Sequence, residues 1–173
     1  LLDVHEAQRD WVAATAIADQ LIAQAAGGGQ SASGQGQPVQ QLRGHYLCEQ
    51  GDAALESGDV TTAGEFYEDA LRDQDQDLRA RMSLAKLRLS AGDPEAALAH
   101  FRVIMGSGRN CTPDLLALLS DICAAHADGS QYLPALEEYY ALQASSLLAL
   151  ALAGELEKRR GRAAAEAFLR ETL

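Results

Sequence analysis

Small, apolar and polar residues recur at helical spacing between residues 44 and 111, in two copies offset by 34 positions. Each copy has a small residue in a first helix, a Gly-Asp pair at a turn, and a small and an aromatic residue in a second helix. These residues are Gly51, Gly58, Asp59, Ala63 and Tyr67 in the first copy, and Ala85, Gly92, Asp93, Ala97 and Phe101 in the second. The pattern predicts two successive helical hairpins.

The Gly-Asp pair predicts where each hairpin turns. Gly58 ends a helix, because glycine adopts a left-handed backbone without steric cost. Asp59 caps the next helix by accepting a hydrogen bond from an amide of its first turn. We therefore predict helices over His45–Ser57 and Val60–Arg72. In the second copy, Pro94 falls at the first helical position, which proline favours.

A helical hairpin that recurs every 34 residues resembles the tetratricopeptide repeat family. The resemblance implies an all-α fold, a solenoid of antiparallel helical hairpins wound into a right-handed superhelix. Neighbouring hairpins then stack to bury the apolar faces that one hairpin cannot bury alone. An irregular helical bundle is the alternative.

Indexing the chain from these two copies divides it into six segments. Residues 1–25 form a partial repeat, 26–43 a Gly/Ser/Gln-rich insert and lead-in, 44–77 and 78–111 complete repeats, 112–144 a divergent repeat, and 145–173 a repeat truncated at its C-terminal end. The composition of Ala26–Pro38 predicts a flexible, non-helical linker. The incomplete outer repeats lead us to expect that the natural protein continues at both ends.

The formal net charge of −11 favours solubility and argues against binding to nucleic acid or anionic lipid, both of which attract basic surfaces. The three cysteines form no C-x-x-C pair, so neither a disulfide framework nor a structural zinc site is expected. Reduced thiols indicate a cytoplasmic setting. No signal peptide opens the chain, and the apolar run Leu147–Ala153 is too short to span a bilayer.

No catalytic pattern is found in the sequence. His5-Glu6 does not continue as H-E-x-x-H, and neither a Walker sequence nor a G-x-S-x-G elbow occurs. A cysteine such as Cys48 or Cys111 would act as a nucleophile only with a base beside it. We therefore predict no enzyme activity and no cofactor within this chain.

The repeat resemblance implies that the first helices line a concave groove for protein partners. The candidate groove residues are His45, Cys48, Asp52, Leu55, Arg79, Met82, Lys86 and Leu89. The alternative for each is ordinary solvent-facing surface. Repeats that clamp a terminal carboxylate carry Lys and Asn where this chain has Cys48 and Asp52, so the chain departs from that mode of binding.

The opening residues Leu1–Trp11 resemble the lipopolysaccharide assembly protein B family of the bacterial inner membrane. The similarity recurs weakly at His45–Glu49, and near Leu152-Ala153 with Gly161 and Phe168. The resemblance implies an N-terminal membrane helix and a C-terminal rubredoxin-like module that holds iron or zinc through C-x-x-C pairs. Neither lies in this chain, so we expect this part to make no direct membrane contact.

The same resemblance implies an adaptor on the cytoplasmic face of the inner membrane. It would regulate lipopolysaccharide synthesis by bringing the committed-step deacetylase of lipid A synthesis to a membrane-anchored protease. Two alternatives remain open, a generic repeat module for envelope assembly or secretion and the repeat region of a larger enzyme such as a glycosyltransferase. The complete open reading frame distinguishes these alternatives.

Overall fold

A computed structural model describes residues 10–27, 36–126 and 131–172 of the chain. Within these ranges the backbone forms nine α-helices and no strand, which confirms the predicted all-α class. The helices are α1 (Trp11–Gly27), α2 (Gly36–Glu56), α3 (Val60–Asp73), α4 (Leu78–Ser90), α5 (Pro94–Gly106), α6 (Pro113–Ala125), α7 (Tyr132–Leu142), α8 (Ser146–Arg160) and α9 (Arg162–Thr172). The chain divides into two compact units, one up to residue 87 and one from residue 88.

The turn between α2 and α3 has the predicted form. Gly58 has a φ of 84°, in the left-handed region that favours glycine. The Asp59 carboxylate then accepts a hydrogen bond from the backbone N–H of Thr62 at 3.1 Å. This bond satisfies one of the amides that the first turn of a helix leaves unpaired, so α3 begins at Val60.

Helix α1 ends at Gly27 and helix α2 begins nine residues before the predicted start at His45, so the predicted non-helical linker is wrong over residues 26–27 and 36–38. Pro38 lies in the first turn of the helix, where the missing N–H of proline removes no helical hydrogen bond. Val39 packs against the cluster formed by Ala14, Ala18 and Tyr46. Contact with α1 therefore extends α2 beyond the residues whose composition predicted a helix.

Side chains of α2 also tie it to the helices on either side. The Arg43 guanidinium donates to the Asp19 carboxylate of α1 at 2.5 Å and bonds to Asp73 of α3 as well. The Gln50 amide donates to the Thr15 hydroxyl of α1 at 2.8 Å. Polar contacts and the apolar cluster thus hold α1 against α2.

The core of the first unit joins α2, α3 and α4. It contains Leu47, Cys48, Ala63, Tyr67, Ala70, Ala80 and Leu84, which are all nearly inaccessible to solvent. Gly51 is small because the Tyr67 ring lies against its backbone: a Cβ atom at residue 51 would stand 2.6 Å from Cε1 of that ring. The close approach is between Gly51 and an aromatic side chain.

The helices of the second unit begin with side-chain caps like that of Asp59 in the first unit. The side chains of Asp93, Thr112 and Ser145 cap α5, α6 and α8 by accepting backbone hydrogen bonds. Its fully buried side chains include Phe101 and Tyr139, whose rings meet edge to face at 5.8 Å. Thr112, Ser145 and Tyr139 show that capped helix starts and aromatic packing continue beyond residue 111, where the sequence pattern is weaker.

Some sequence predictions lie outside the described residues. These are the family-like opening from Leu1 to Arg9 and residues 28–35 of the Gly/Ser/Gln-rich insert.

Candidate protein-binding site

Helices α2 and α4 of the first unit present a polar network centred on Arg79. Its guanidinium donates to the Glu49 carboxylate at 2.7 Å and to the Asp52 carboxylate at 2.5 Å. The same group lies 3.3 Å from Nδ1 of His45. His45 and Arg79 occupy equivalent positions in successive repeats, since they are 34 residues apart. The repeat period thus brings first-helix residues side by side.

The buried Tyr67 joins the network to the core, because its hydroxyl donates a hydrogen bond to Asp52. Burial raises the pKa of Tyr67, and the neighbouring carboxylate raises it further. Burial alone would lower the pKa of Arg79, but its bonds to Asp52 and Glu49 outweigh that effect and raise it. The Arg79 guanidinium therefore remains charged between two carboxylates, and its N–H groups donate to side chains of the protein itself.

Aromatic rings extend this surface toward α1. The Trp11 ring meets the His45 ring edge-on at 6.2 Å and stacks on the Tyr46 ring at 6.1 Å. Tyr46 is fully buried, whereas the His45 side chain is about half exposed. The exposed imidazole is thus held between an aromatic neighbour and Arg79.

Cys48 does not belong to an exposed groove, so its assignment to the partner-facing surface is wrong. It is 0% exposed and packs in the core of the first unit. Burial raises the pKa of its thiol to about 12, and the nearby Asp77 carboxylate adds to the effect. Cys48 is therefore a small apolar core residue that remains protonated at neutral pH.

The other predicted groove residues are accessible to different degrees. His45, Leu55 and Lys86 are exposed, while Asp52, Arg79, Met82 and Leu89 are half-buried. Asp52 and Arg79 are bound within the network described above. His45 also contacts Arg79, so the predicted groove residues of the first unit that lie outside the network are two apolar groups and one ammonium. We call Leu55, Met82 and Lys86 the α2/α4 face.

Glu49 is a member of the network that the sequence analysis missed. It lies four residues after His45 and three before Asp52, so all three carboxylate and imidazole groups share one face of α2. This spacing could have indicated the network, but only once Arg79 was known to lie opposite these three residues. The pairing itself depends on how α4 packs, which the sequence of α2 does not contain.

No group of three or more metal-ligating side chains is placed to hold a metal ion in residues 10–27, 36–126 and 131–172. None of the helices in the described part of the chain has both the length and the apolar character of a membrane span.

Residues 54–122 match the family model described as tetratricopeptide repeat, and no curated protein matches the chain. The match covers the end of α2, all of α3, α4 and α5, and most of α6. Tetratricopeptide repeats generally serve as non-catalytic modules that bind other proteins. The chain accordingly has the architecture of a protein-interaction scaffold. The helical hairpins and the family match together show an all-α fold with tetratricopeptide repeats over residues 54–122.

Proposed function

We propose that the α2/α4 face docks a segment of a partner protein. The observation that carries this proposal is the Arg79 network, because it pairs Glu49 and Asp52 of α2 within the protein and ties α2 to α4. The neighbouring Leu55 and Met82 then offer apolar contact, and Lys86 offers a charge. Because the network already ties α2 to α4, a partner docks without the entropy cost of ordering the two helices.

We further propose that the partners are those of an adaptor in lipopolysaccharide synthesis. These partners are the committed-step deacetylase of lipid A synthesis and a membrane-anchored protease, and the complex would form at the cytoplasmic face of the inner membrane. Support comes from the resemblance of the first eleven residues and from the interaction-module fold. In this role the chain itself performs no catalysis and serves to bring the two proteins together.

A binding experiment with the purified deacetylase and protease tests both levels of this proposal. We expect the full-length natural protein to capture each of the two proteins. The double variant Met82→Glu/Lys86→Glu should weaken capture of one of them by about tenfold or more, because the new carboxylates must be desolvated at the contact. Surface plasmon resonance measures both affinities. Leu142→Asp, at a 57% exposed position in the other unit, is the matched control.

Two results would count against the proposal in different ways. If neither enzyme binds, the adaptor role is wrong, although the scaffold fold stands. If an enzyme binds equally to the double variant and to the control, the α2/α4 face is not the docking site for that enzyme.

A further inference from the structure

The contact between His45 and Arg79 determines which protonation state of the imidazole the Arg79 network accepts. Nη1 of Arg79 lies 3.3 Å from Nδ1 of His45. A guanidinium has donors and no acceptor, so Nδ1 accepts this hydrogen bond and bears no proton. The imidazole proton is therefore on Nε2, and His45 is neutral while it is bonded to Arg79.

The groups packed around His45 come from three helices. Arg79 of α4 faces Nδ1, and the carboxylate of Glu49 in α2 lies 4.0 Å from Nε2. The rings of Trp11 in α1 and Tyr46 in α2 are its aromatic neighbours, with centres 6.2 and 5.8 Å away. The His45 side chain is about half exposed, so solvent can protonate it.

Protonation of His45 would remove the acceptor of this hydrogen bond and bring two like charges together. Nδ1 of an imidazolium is a donor, so the bond with Arg79 is lost and the two cations repel each other. The imidazolium is attracted at the same time to Glu49, which binds Arg79 at 2.7 Å in the structure. His45 and Glu49 are four residues apart, so their ion pair lies within α2.

We propose that His45 is a pH-sensitive switch in the Arg79 network. When the imidazole is neutral, Arg79 of α4 is bonded to His45, Glu49 and Asp52 of α2. On acidification, Glu49 exchanges its bond with Arg79 for a bond with His45. A contact between two helices is thereby replaced by a contact within one helix, and Arg79 keeps its bond with Asp52.

The consequence for docking rests on the proposed function of the α2/α4 face. Leu55 of that face is in α2, whereas Met82 and Lys86 are in α4. A partner that binds both helices should bind more weakly at low pH, because it must order two helices that are less firmly tied.

Trp11 allows the charge on His45 to be measured without a partner. It is the one tryptophan in the chain, and its ring lies beside the imidazole. An imidazolium quenches indole fluorescence more strongly than a neutral imidazole does, because it is the better acceptor of an electron from the excited indole. We therefore expect fluorescence to be lost in one step between about pH 8 and 5.5, the range in which imidazoles ordinarily gain a proton.

Substitutions show which residues control this step. His45→Gln should abolish it, whereas His5→Gln, His100→Gln and His126→Gln are the matched controls and should retain it. Arg79→Gln should move the midpoint of the step to higher pH, because the amide can still donate to Nδ1 but carries no charge to repel the imidazolium. Circular dichroism at pH 8 verifies that each variant is folded.

The ¹⁵N chemical shifts of the His45 ring test the proposal in the unaltered protein. We expect them to place the proton on Nε2 at pH 8. A proton on Nδ1, a fluorescence step that survives His45→Gln, or a midpoint that Arg79→Gln leaves unchanged would each overturn the switch. Any of these results would leave the docking function of the α2/α4 face intact, and failure of that face to bind a protein would leave these measurements unchanged.

Discussion

At the scale of single residues, the contact between Gly51 and Tyr67 sets how closely α2 and α3 approach. The ring is 0% exposed, and its hydroxyl is bonded to Asp52, so it is fixed at both its edge and its tip. Packed interiors do not absorb added atoms without a shift of side chain or backbone. The same ring therefore links helix spacing to the polar network around Arg79.

Gly51→Ala should destabilise the first unit despite the higher helix propensity of alanine. The added methyl would stand 2.6 Å from Cε1 of Tyr67, so the free energy of unfolding should fall by about 1–3 kcal/mol. Urea denaturation followed by circular dichroism measures the change. Gly64→Ala is the matched control, because the nearest atom to its new Cβ, in Leu87, is 3.9 Å away.

The control should behave in the opposite way. Alanine replaces glycine there inside α3 without a clash, so stability should rise by up to about 1 kcal/mol. Equal effects of the two substitutions would show that the Tyr67 ring yields freely, and that Gly51 does not set the helix spacing.

At the scale of helices, α8 is stabilised near its C-terminus by a nearly buried carboxylate. Glu155 is 7% exposed and accepts hydrogen bonds from Arg159 at 2.7 Å and from Lys158 at 3.3 Å. The bond from Arg159 is the main reason that the pKa of Glu155 is lowered, and the bond from Lys158 adds to it. The two cations also interact favourably with the negative end of the helix dipole.

This pKa shift predicts a pH-dependent contribution to stability. Because the pKa is lower in the folded chain than in the unfolded chain, the stabilisation is present above about pH 4.5 and is lost as the pH falls through the folded pKa. Glu155→Gln should therefore lower the thermal midpoint at pH 7 and have a smaller effect at pH 3. Differential scanning calorimetry across this range measures the difference.

Glu157→Gln is the matched control in the same helix, since Glu157 is exposed and forms no ion pair with the described residues. It should change the midpoint little at either pH. A deficit of Glu155→Gln that is the same at pH 3 and pH 7 would mean that the carboxylate charge does not stabilise α8.

The helix starts were predictable because their signals are local. Val60, Pro94 and Pro113 each follow a residue whose side chain caps the helix, and in the structure a helix begins at each of them. The start of α2 was not predictable in this way. Its first turns depend on Val39 packing against α1, a contact between residues that are distant in the sequence.

At the scale of the whole molecule, the repeat period predicted the class of fold but only part of the binding surface. The period placed His45 and Arg79 at equivalent positions, and the structure brings them into contact. It did not reveal that Cys48 is in the core or that Arg79 binds two carboxylates. Those facts depend on the rotation of each helix about its axis, which small residues such as alanine and glycine specify weakly.

Net charge gives a prediction that applies to the whole chain. Because the chain carries a formal charge of −11, mutual repulsion opposes compaction, and added salt screens it. Raising sodium chloride from about 0.02 to 0.2 M at pH 7 should raise the thermal midpoint by a few degrees, since the Debye length falls below about 8 Å. Circular dichroism melts measure the shift.

The comparison at low pH provides the control. Near the isoelectric point of about 4.7 the repulsion is small, so the same salt increase should raise the midpoint much less. A midpoint that falls with salt at pH 7 would show that attractive ion pairs outweigh the net repulsion.

The pairing of α1 with α2 has a practical consequence for work on this protein. Arg43 and Gln50 hold α2 against α1 through Asp19 and Thr15, all within the helices themselves. Lengthening the chain that joins the two helices then acts on stability mainly through loop closure, which costs only about 0.6 kcal/mol for each doubling. A short epitope inserted between α1 and α2 should therefore leave their contact intact, which would allow the protein to be detected in cells.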